Sequence, residues 1–384
     1  MSRFSFSVPT LVRYGEGVAQ EIGAEITSYV KKQDLKAMIV TDKGILGAGL
    51  LDGMTNSLAQ SGIAYVVFDA VEPNPRDTTV QTAAQQYKDE GANVLIAVGG
   101  GSVLDAAKAI GVVATYGGEI ADYDGFDLVP GPIAPLFAVP TTAGTGSEVT
   151  IWAVITDTKN KVKMGIGDYK ICPAVALVDP VMTYSLPRAL TVGTGMDALT
   201  HAIESYTCKA ANPACDALAL KAIGLIAKHL PQAAAVGFDA VARDGMMLGS
   251  LLAGMAFSNT DVAAVHCLAE SVGATVDGPH GMLNAIFLPY VMAYNLQEVP
   301  DLLANIAVSM GEDARPEAAI EAVVKMQQIL NVSNLREFGV REEDAKMLGE
   351  MSEAHPSTAD NARTITAEDY TRIIKMAVAG EPAI

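Results

Sequence analysis

The sequence predicts a two-part fold: an α/β half built on a parallel sheet, followed by an all-helical half. Three observations carry this. Continuous apolar runs such as NVLIAV (93–98) alternate with helical stretches up to about residue 185, as in a parallel sheet covered on both faces. Beyond residue 192 the long segments, among them 216–234 and 316–332, run at helical spacing and no strand pattern appears. Finally, 384 residues, half of them apolar, exceed one typical domain and suffice for two buried cores. The boundary is placed near 185, giving an α/β domain over 1–185 and a helical domain over 186–384.

In chain order, the N-terminal MSRFSFSVPTLVRYGEG has no apolar core of signal-peptide length and reads as a short strand and a turn. AMIVTD (37–42) is a strand, and TNSLAQSG (55–62) ends a helix. IAYVVFDAV (63–71) is the next strand, followed by a helix over 79–91. NVLIAVGGG (93–101) is a strand that leads into a helix over 102–114, and 135–141 and 175–180 are further strands. In such sheets ligands bind beyond the carboxyl ends of the strands. Two uncharged stretches need separate judgement. Residues 128–147 hold four prolines, which excludes a membrane-spanning helix. Residues 245–260 are too short to span and fit a buried core helix.

The net charge of −18, with no basic patch, argues against nucleic acid and anionic membrane as partners. The four cysteines form no CxxC pair and no disulfide framework, so a reducing, cytoplasmic compartment is expected.

Two loops suit an anion. Gly99, Gly100 and Gly101 sit between a strand and a helix. They either let backbone N–H groups approach a pyrophosphate at the helix N-terminus or merely make a tight turn. AVPTTAGTGSEVT (138–150) follows another strand. It offers the hydroxyls of Thr141, Thr142, Thr145 and Ser147 to phosphate and ribose oxygens. Asp42 ends the strand AMIVTD, where its carboxylate would accept from both hydroxyls of an adenosine ribose. It would repel a 2′-phosphate, favouring NAD over NADP.

Of only five histidines, three fall in two short segments, 193–206 and 265–285. Asp197 and His201 are four apart in a stretch free of Gly and Pro, so a helix stacks them on one face. His266 lies in an apolar helical segment, and His280 in a Gly-Pro-His-Gly turn that permits close approach. One carboxylate and three imidazoles suit Fe²⁺, Zn²⁺, Mn²⁺ or Co²⁺ and leave a position open for substrate.

These segments resemble the iron-containing (group III) alcohol dehydrogenase family. The resemblance is carried by GGGSVLDAAK (99–108), PTTAGTGSEVT (140–150), the ITD…K segment ending at Lys163, and DP…LP at 179–187. Its strongest parts are GMDALTHAIESY (195–206) and H…PHG…NA…LP (266–289). It implies a Rossmann-like dinucleotide-binding domain followed by a helical metal-binding domain, a dehydroquinate synthase-like architecture. It further implies Fe²⁺, with Zn²⁺ or another divalent ion as alternatives, held by Asp197, His201, His266 and His280. NAD(H) would be lined by Asp42, Asn74, Gly100, Gly101, Ser102, Asp105, Thr141, Thr142, Thr145 and Lys163. Phe257 would stand beside a small alcohol or aldehyde substrate, and the chain would be a homodimer or larger, joined through RFSFSV (3–8).

The implied activity is metal-dependent interconversion of a small primary alcohol and its aldehyde with NAD(H). The alternatives are a zinc-dependent polyol dehydrogenase-like enzyme or a reductase of a functionalised, acidic short aldehyde. One departure is notable: four residues beyond His266 the family commonly has a second histidine, and this chain has Glu270. A carboxylate there is expected to relay protons, orient His266 or weakly bind the metal, and to disfavour strongly anionic substrates. His355 could supply an imidazole instead, and Trp152 is expected to pack between the domains, the alternative being that it narrows the cleft.

Overall fold

The computed structural model describes residues 3–276 and 278–384, which divide into two compact units. One holds Val8–Thr142 and Gly146–Leu186; the other holds the N-terminus to Ser7, Ala143–Thr145 and Pro187–Ile384.

The first unit is α/β. It runs β1 (Leu11–Tyr14), α1 (Ile22–Tyr29), β2 (Lys36–Val40), α2 (Lys43–Gly47), α3 (Asp52–Gln60), β3 (Ala64–Phe68), α4 (Asp77–Asp89), β4 (Val94–Gly99) and α5 (Gly101–Tyr116). It continues through β5 (Gly125–Phe126), β6 (Leu136–Pro140), β7 (Trp152–Asp157), β8 (Val162–Gly167) and β9 (Val175–Val178). Six strands form a sheet in the order β1-β9-β6-β4-β2-β3, and every neighbouring pair is parallel. Alternating side chains explain why the strands read as unbroken apolar runs. Ala37, Ile39, Ile96 and Phe137 pack against α1 and α3 on one face. Met38, Val40, Leu95 and Ala97 pack against α4 and α5 on the other. Both faces are buried, so every position is apolar.

From β2 the chain moves outward to β3, then returns to place β4 on the other side of β2. That reversal opens a crevice beyond the carboxyl ends of β2 and β4, where open α/β sheets bind ligands. A second sheet, β5-β8-β7, was not anticipated from the sequence; β7 and β8 form an antiparallel pair from Trp152↔Gly167 to Asp157↔Val162. The expected N-terminal strand forms at Leu11–Tyr14. Among the described residues, 3–8 pair with no strand, and Ser7 is held through both backbone groups by the Asn259 amide.

The second unit contains no strand among its described residues. Its helices are α6 (Arg188–Thr207), α7 (Pro213–Ala235), α8 (Ala240–Phe257), α9 (Ala264–Val276), α10 (His280–Asn295), α11 (Pro300–Met310), α12 (Pro316–Leu330), α13 (Ala345–Glu353) and α14 (Ala367–Ala379). The uncharged stretch near 245 is the buried helix α8. Among the described residues no helix is long and apolar enough to cross a membrane.

All four cysteines are unbridged. Burial pushes the Cys172 thiol up to about 11 and Cys208 up to about 12, and it raises Cys215. Cys267 is wholly enclosed.

The central sheet generates a stability test. Phe137 is fully buried in β6 and meets the Tyr29 ring edge-on at 5.9 Å. Phe137→Ala is expected to destabilise the fold by about 3–5 kcal/mol, measured as a lowered midpoint in urea unfolding followed by circular dichroism.

Candidate functional site

Helix α6 carries Asp197, His201 and Glu204 at i, i+4 and i+7, so all three share one face. None is more than 5% exposed. His266 enters from the first turn of α9, and His280 opens α10. One ligand atom each from Asp197, His201 and His266 lies within 4.8 Å of the others. His280 Nε2 stands 3.7 Å from Asp197 Oδ1. The four residues singled out in the sequence therefore converge.

The approach of α10 to α6 depends on glycine. A Cβ on Gly281 would lie 2.3 Å from the Gly193 carbonyl oxygen and 3.1 Å from Asp197 Cβ. The glycine after His280 thus permits the close helix contact that brings His280 beside Asp197.

Two residues not anticipated from the sequence organise the centre. Glu204 Oε2 accepts from His266 Nδ1 at 2.5 Å, while Oε1 accepts the Val265 N–H at 2.7 Å. A carboxylate on Nδ1 places the ring proton there and leaves Nε2 with its lone pair directed inward. Asn284, one turn along α10 from His280, brings its amide nitrogen to 2.7 Å from Asp197 Oδ1, 3.1 Å from His266 Nε2 and 3.2 Å from His280 Nε2. An amide has two hydrogens, yet three acceptors crowd this nitrogen, and Asn284 Oδ1 is buried without a hydrogen bond. A cation would satisfy the converging lone pairs where the amide cannot. The donor set, one carboxylate and three imidazoles, fits iron(II).

The electrostatics agree with a cation site. Burial pulls His201 down to about 3, so its ring is neutral and able to donate a lone pair. Burial would raise Asp197, but the His201, His280 and His266 imidazoles outweigh it and hold the carboxyl below its usual range. Burial likewise works against a charged His266, and Glu204 reverses the balance and raises it. His201 is further fixed between rings, stacked on Phe257 at 4.2 Å and on His266 at 4.6 Å. Phe257 therefore sits directly against one of the four metal-binding candidates.

Glu270 lies one turn beyond His266 on α9, and its Oε2 is 2.9 Å from His355 Nε2. Both side chains retain about a fifth of their exposure. His355 Nδ1 accepts the Ser357 N–H at 3.2 Å, and Thr358 Oγ1 donates to Cys267 Sγ at 3.4 Å, so residues 355–358 are stitched onto α9. The two candidates for an imidazole or carboxylate relay are thus a single pair.

In the α/β unit, residues singled out for the dinucleotide follow adjacent strands β2, β4 and β6. Asp42 caps α2, its Oδ1 accepting from Gly44 N–H at 2.7 Å and Ile45 N–H at 3.0 Å. Gly100 and Gly101 begin α5, with Ser102 in its first turn. A Cβ on Gly100 would touch Thr142 Cγ2 at 3.1 Å, so the two loops are in contact. Thr141 N–H donates to the Gly99 carbonyl at 3.0 Å. Lys163 Nζ donates to Asn74 Oδ1 at 3.1 Å, with Asn74 in the left-handed region at φ 54°.

Two positions differ from a simple lining. Both oxygens of Asp105 are taken by protein donors, Ser147 Oγ at 2.6 Å and Val154 N–H at 3.0 Å. Asp105 thus braces the loop from α5. Thr145 lies in the loop tip 143–145, which groups with the helical unit; a Cβ on Gly144 there would lie 2.5 Å from Thr194 Cβ. Trp152 packs within the α/β unit, its ring against Gly165 and Gly167 of β8 and 6.1 Å from Phe126.

With this geometry established, sequence comparison defines the class. The iron-containing alcohol dehydrogenase model matches residues 9–180, and the C-terminal model of the Fe-containing alcohol dehydrogenase family matches 191–378. The chain belongs to the iron-containing alcohol dehydrogenase family. It is 40% identical over 384 residues to a 1,3-propanediol dehydrogenase of Citrobacter freundii, covering 97% of this chain and 98% of that one. It is 39% identical over 382 residues to an NAD-dependent methanol dehydrogenase of Bacillus methanolicus, covering 97% and 100%. The solved structure of a 1,3-propanediol oxidoreductase superposes with a TM-score of 0.95 at 39% identity, covering 98% of this chain and all of that one. The enzyme is an NAD-dependent, iron-type alcohol dehydrogenase, as its sequence resemblance implied.

Glu204 generates a test at this site. Glu204→Gln is expected to weaken iron binding about 10- to 100-fold, read by competition with a chromogenic chelator, while NADH binding is retained.

Proposed function

We propose that the enzyme interconverts a short, neutral primary alcohol and its aldehyde with NAD(H), and that Asp197, His201, His266 and His280 hold the iron. The observation that carries this is the convergence of Asp197 Oδ1, His266 Nε2 and His280 Nε2 on one amide nitrogen that cannot serve all three. Bound there, iron(II) supplies Lewis acidity toward the substrate oxygen. Alcohol oxidation releases a hydride to the nicotinamide and a proton to the protein.

The chain's own residues orient and insulate this chemistry. Glu204 holds the His266 tautomer, and Phe257 braces His201 while giving the substrate an apolar neighbour. Asp42, the glycine turn and Thr141–Thr142 are assigned to ribose and pyrophosphate, with Asn74 and Lys163 joining them. The second oxygen of Asp42 remains for a ribose hydroxyl while the first caps α2. Glu270, paired with His355, is assigned to passing the released proton toward solvent. The 1,3-propanediol and methanol dehydrogenases among the relatives support a short, neutral substrate. Four unbridged thiols support a reducing, cytoplasmic setting. The exposed Phe4 and Phe6 of the N-terminal segment support a homo-oligomer joined there.

His266→Ala and His280→Ala are expected to abolish NADH oxidation with short aldehydes while NADH still quenches protein fluorescence. Full turnover in either iron-free variant would refute the ligand assignment. Glu270→Gln is expected to lower kcat about tenfold or more and flatten its pH profile, with iron content unchanged by metal analysis.

A further inference from the structure

A buried cation in the α/β unit has no place in the chemistry above. Lys108 is on the second turn of α5 and is wholly enclosed. Its three N–H groups have three acceptors: the Thr150 carbonyl at 2.9 Å, Thr150 Oγ1 at 3.2 Å and the Trp152 carbonyl at 2.7 Å. One turn earlier on the same helix, Asp105 takes the Ser147 hydroxyl and the Val154 N–H. Burying two ionisable side chains that make no direct contact with each other is costly, and their polar atoms are spent on loop partners instead, so their presence calls for a geometric reason.

That reason lies in what the pair grips. Residues 147, 150, 152 and 154 form the descending limb of the hydroxyl-rich loop and the start of β7. Helix α5, which carries the grip, begins at the glycine turn. The helix that presents Gly100 and Ser102 therefore also sets the backbone of the opposing loop, whose Thr142 already touches Gly100. We propose that Lys108 is a positioning residue for the dinucleotide: with Asp105 it locks the two phosphate-facing loops into one preformed cradle. This rests on the assignment of NAD(H) to those loops. An apolar residue at 108 would fill the space but leave the Trp152 carbonyl without its Lys108 donor and the Thr150 carbonyl with only the weak Cys172 thiol, and the loop would settle elsewhere. Such a change acts on ground-state binding of the cofactor and leaves hydride transfer in the bound complex intact.

The test uses the iron-loaded enzyme and three variants: Lys108→Met, Asp105→Asn and, as a benchmark of the site itself, Thr142→Val. NADH dissociation constants by fluorescence titration, KM and kcat, melting temperature and iron content are measured for each. Lys108→Met is expected to raise the NADH dissociation constant and KM about tenfold, with kcat at saturating NADH within about twofold and iron unchanged. A purely structural role would lower the melting temperature and leave the dissociation constant of the folded enzyme within about twofold of the parent; that result overturns the proposal. Should Lys108→Met fail to fold, Asp105→Asn decides by the same criteria, since it preserves shape while unbalancing the grip. If Thr142→Val also leaves NADH binding unchanged, the loop assignment fails. If it weakens binding while the other two do not, only the positioning role fails.

Discussion

The helical unit depends on one buried carboxylate. Glu204 uses one oxygen to secure the backbone at the start of α9 and the other to fix the His266 ring, so helix docking and ligand orientation are a single event. Asp197 lies two turns earlier on the same helix, which places two carboxylates and an uncharged His201 in a dry interior. Two negative charges in that setting are costly unless cations answer them. A divalent ion bound there would supply the missing charge, and so would be an electrostatic component of this core as well as its reagent.

The α/β unit meets a different constraint with a related device. Its sheet topology delivers three strand ends to one edge, but topology does not shape the loops that follow them. Asp105 and Lys108 do so from within α5, whose buried polar groups aim outward at loop backbone. Each unit thus uses charged side chains sealed from water to hold geometry that apolar packing would leave loose.

Fold class was legible in the sequence because fully covered parallel strands are unbroken apolar runs. The β7–β8 hairpin escaped because WAVITD alternates in burial and KMGIG carries glycines under the Trp152 ring, a weak strand signal. Asp197 and His201 were legible from helical spacing, and His266 and His280 from residue type. Glu204 and Asn284 were not: a Glu three residues past a histidine and an Asn four past another look like ordinary helix polar residues. Their only trace is helix periodicity, which puts Glu204 on the face of Asp197 and His201 and Asn284 on that of His280; nothing local joins Glu204 to His266, the ring it fixes. Lys108 carries the same lesson, since lysine is normally solvated. The Glu270–His355 pair spans 85 residues of chain, and no local pattern joins them.

The state of the cysteines bears on how this enzyme can fail. Oxidants attack thiolates, and burial keeps the thiols of Cys172 and Cys208 protonated at neutral pH. Cys215 and Cys267 are sealed away from solvent-borne reagents. Inactivation in air therefore does not readily begin at a cysteine thiol. It would begin at ferrous iron, by one-electron oxidation to the ferric state, so a metal-directed reductant and fresh iron(II) would restore activity where thiol protectants would not.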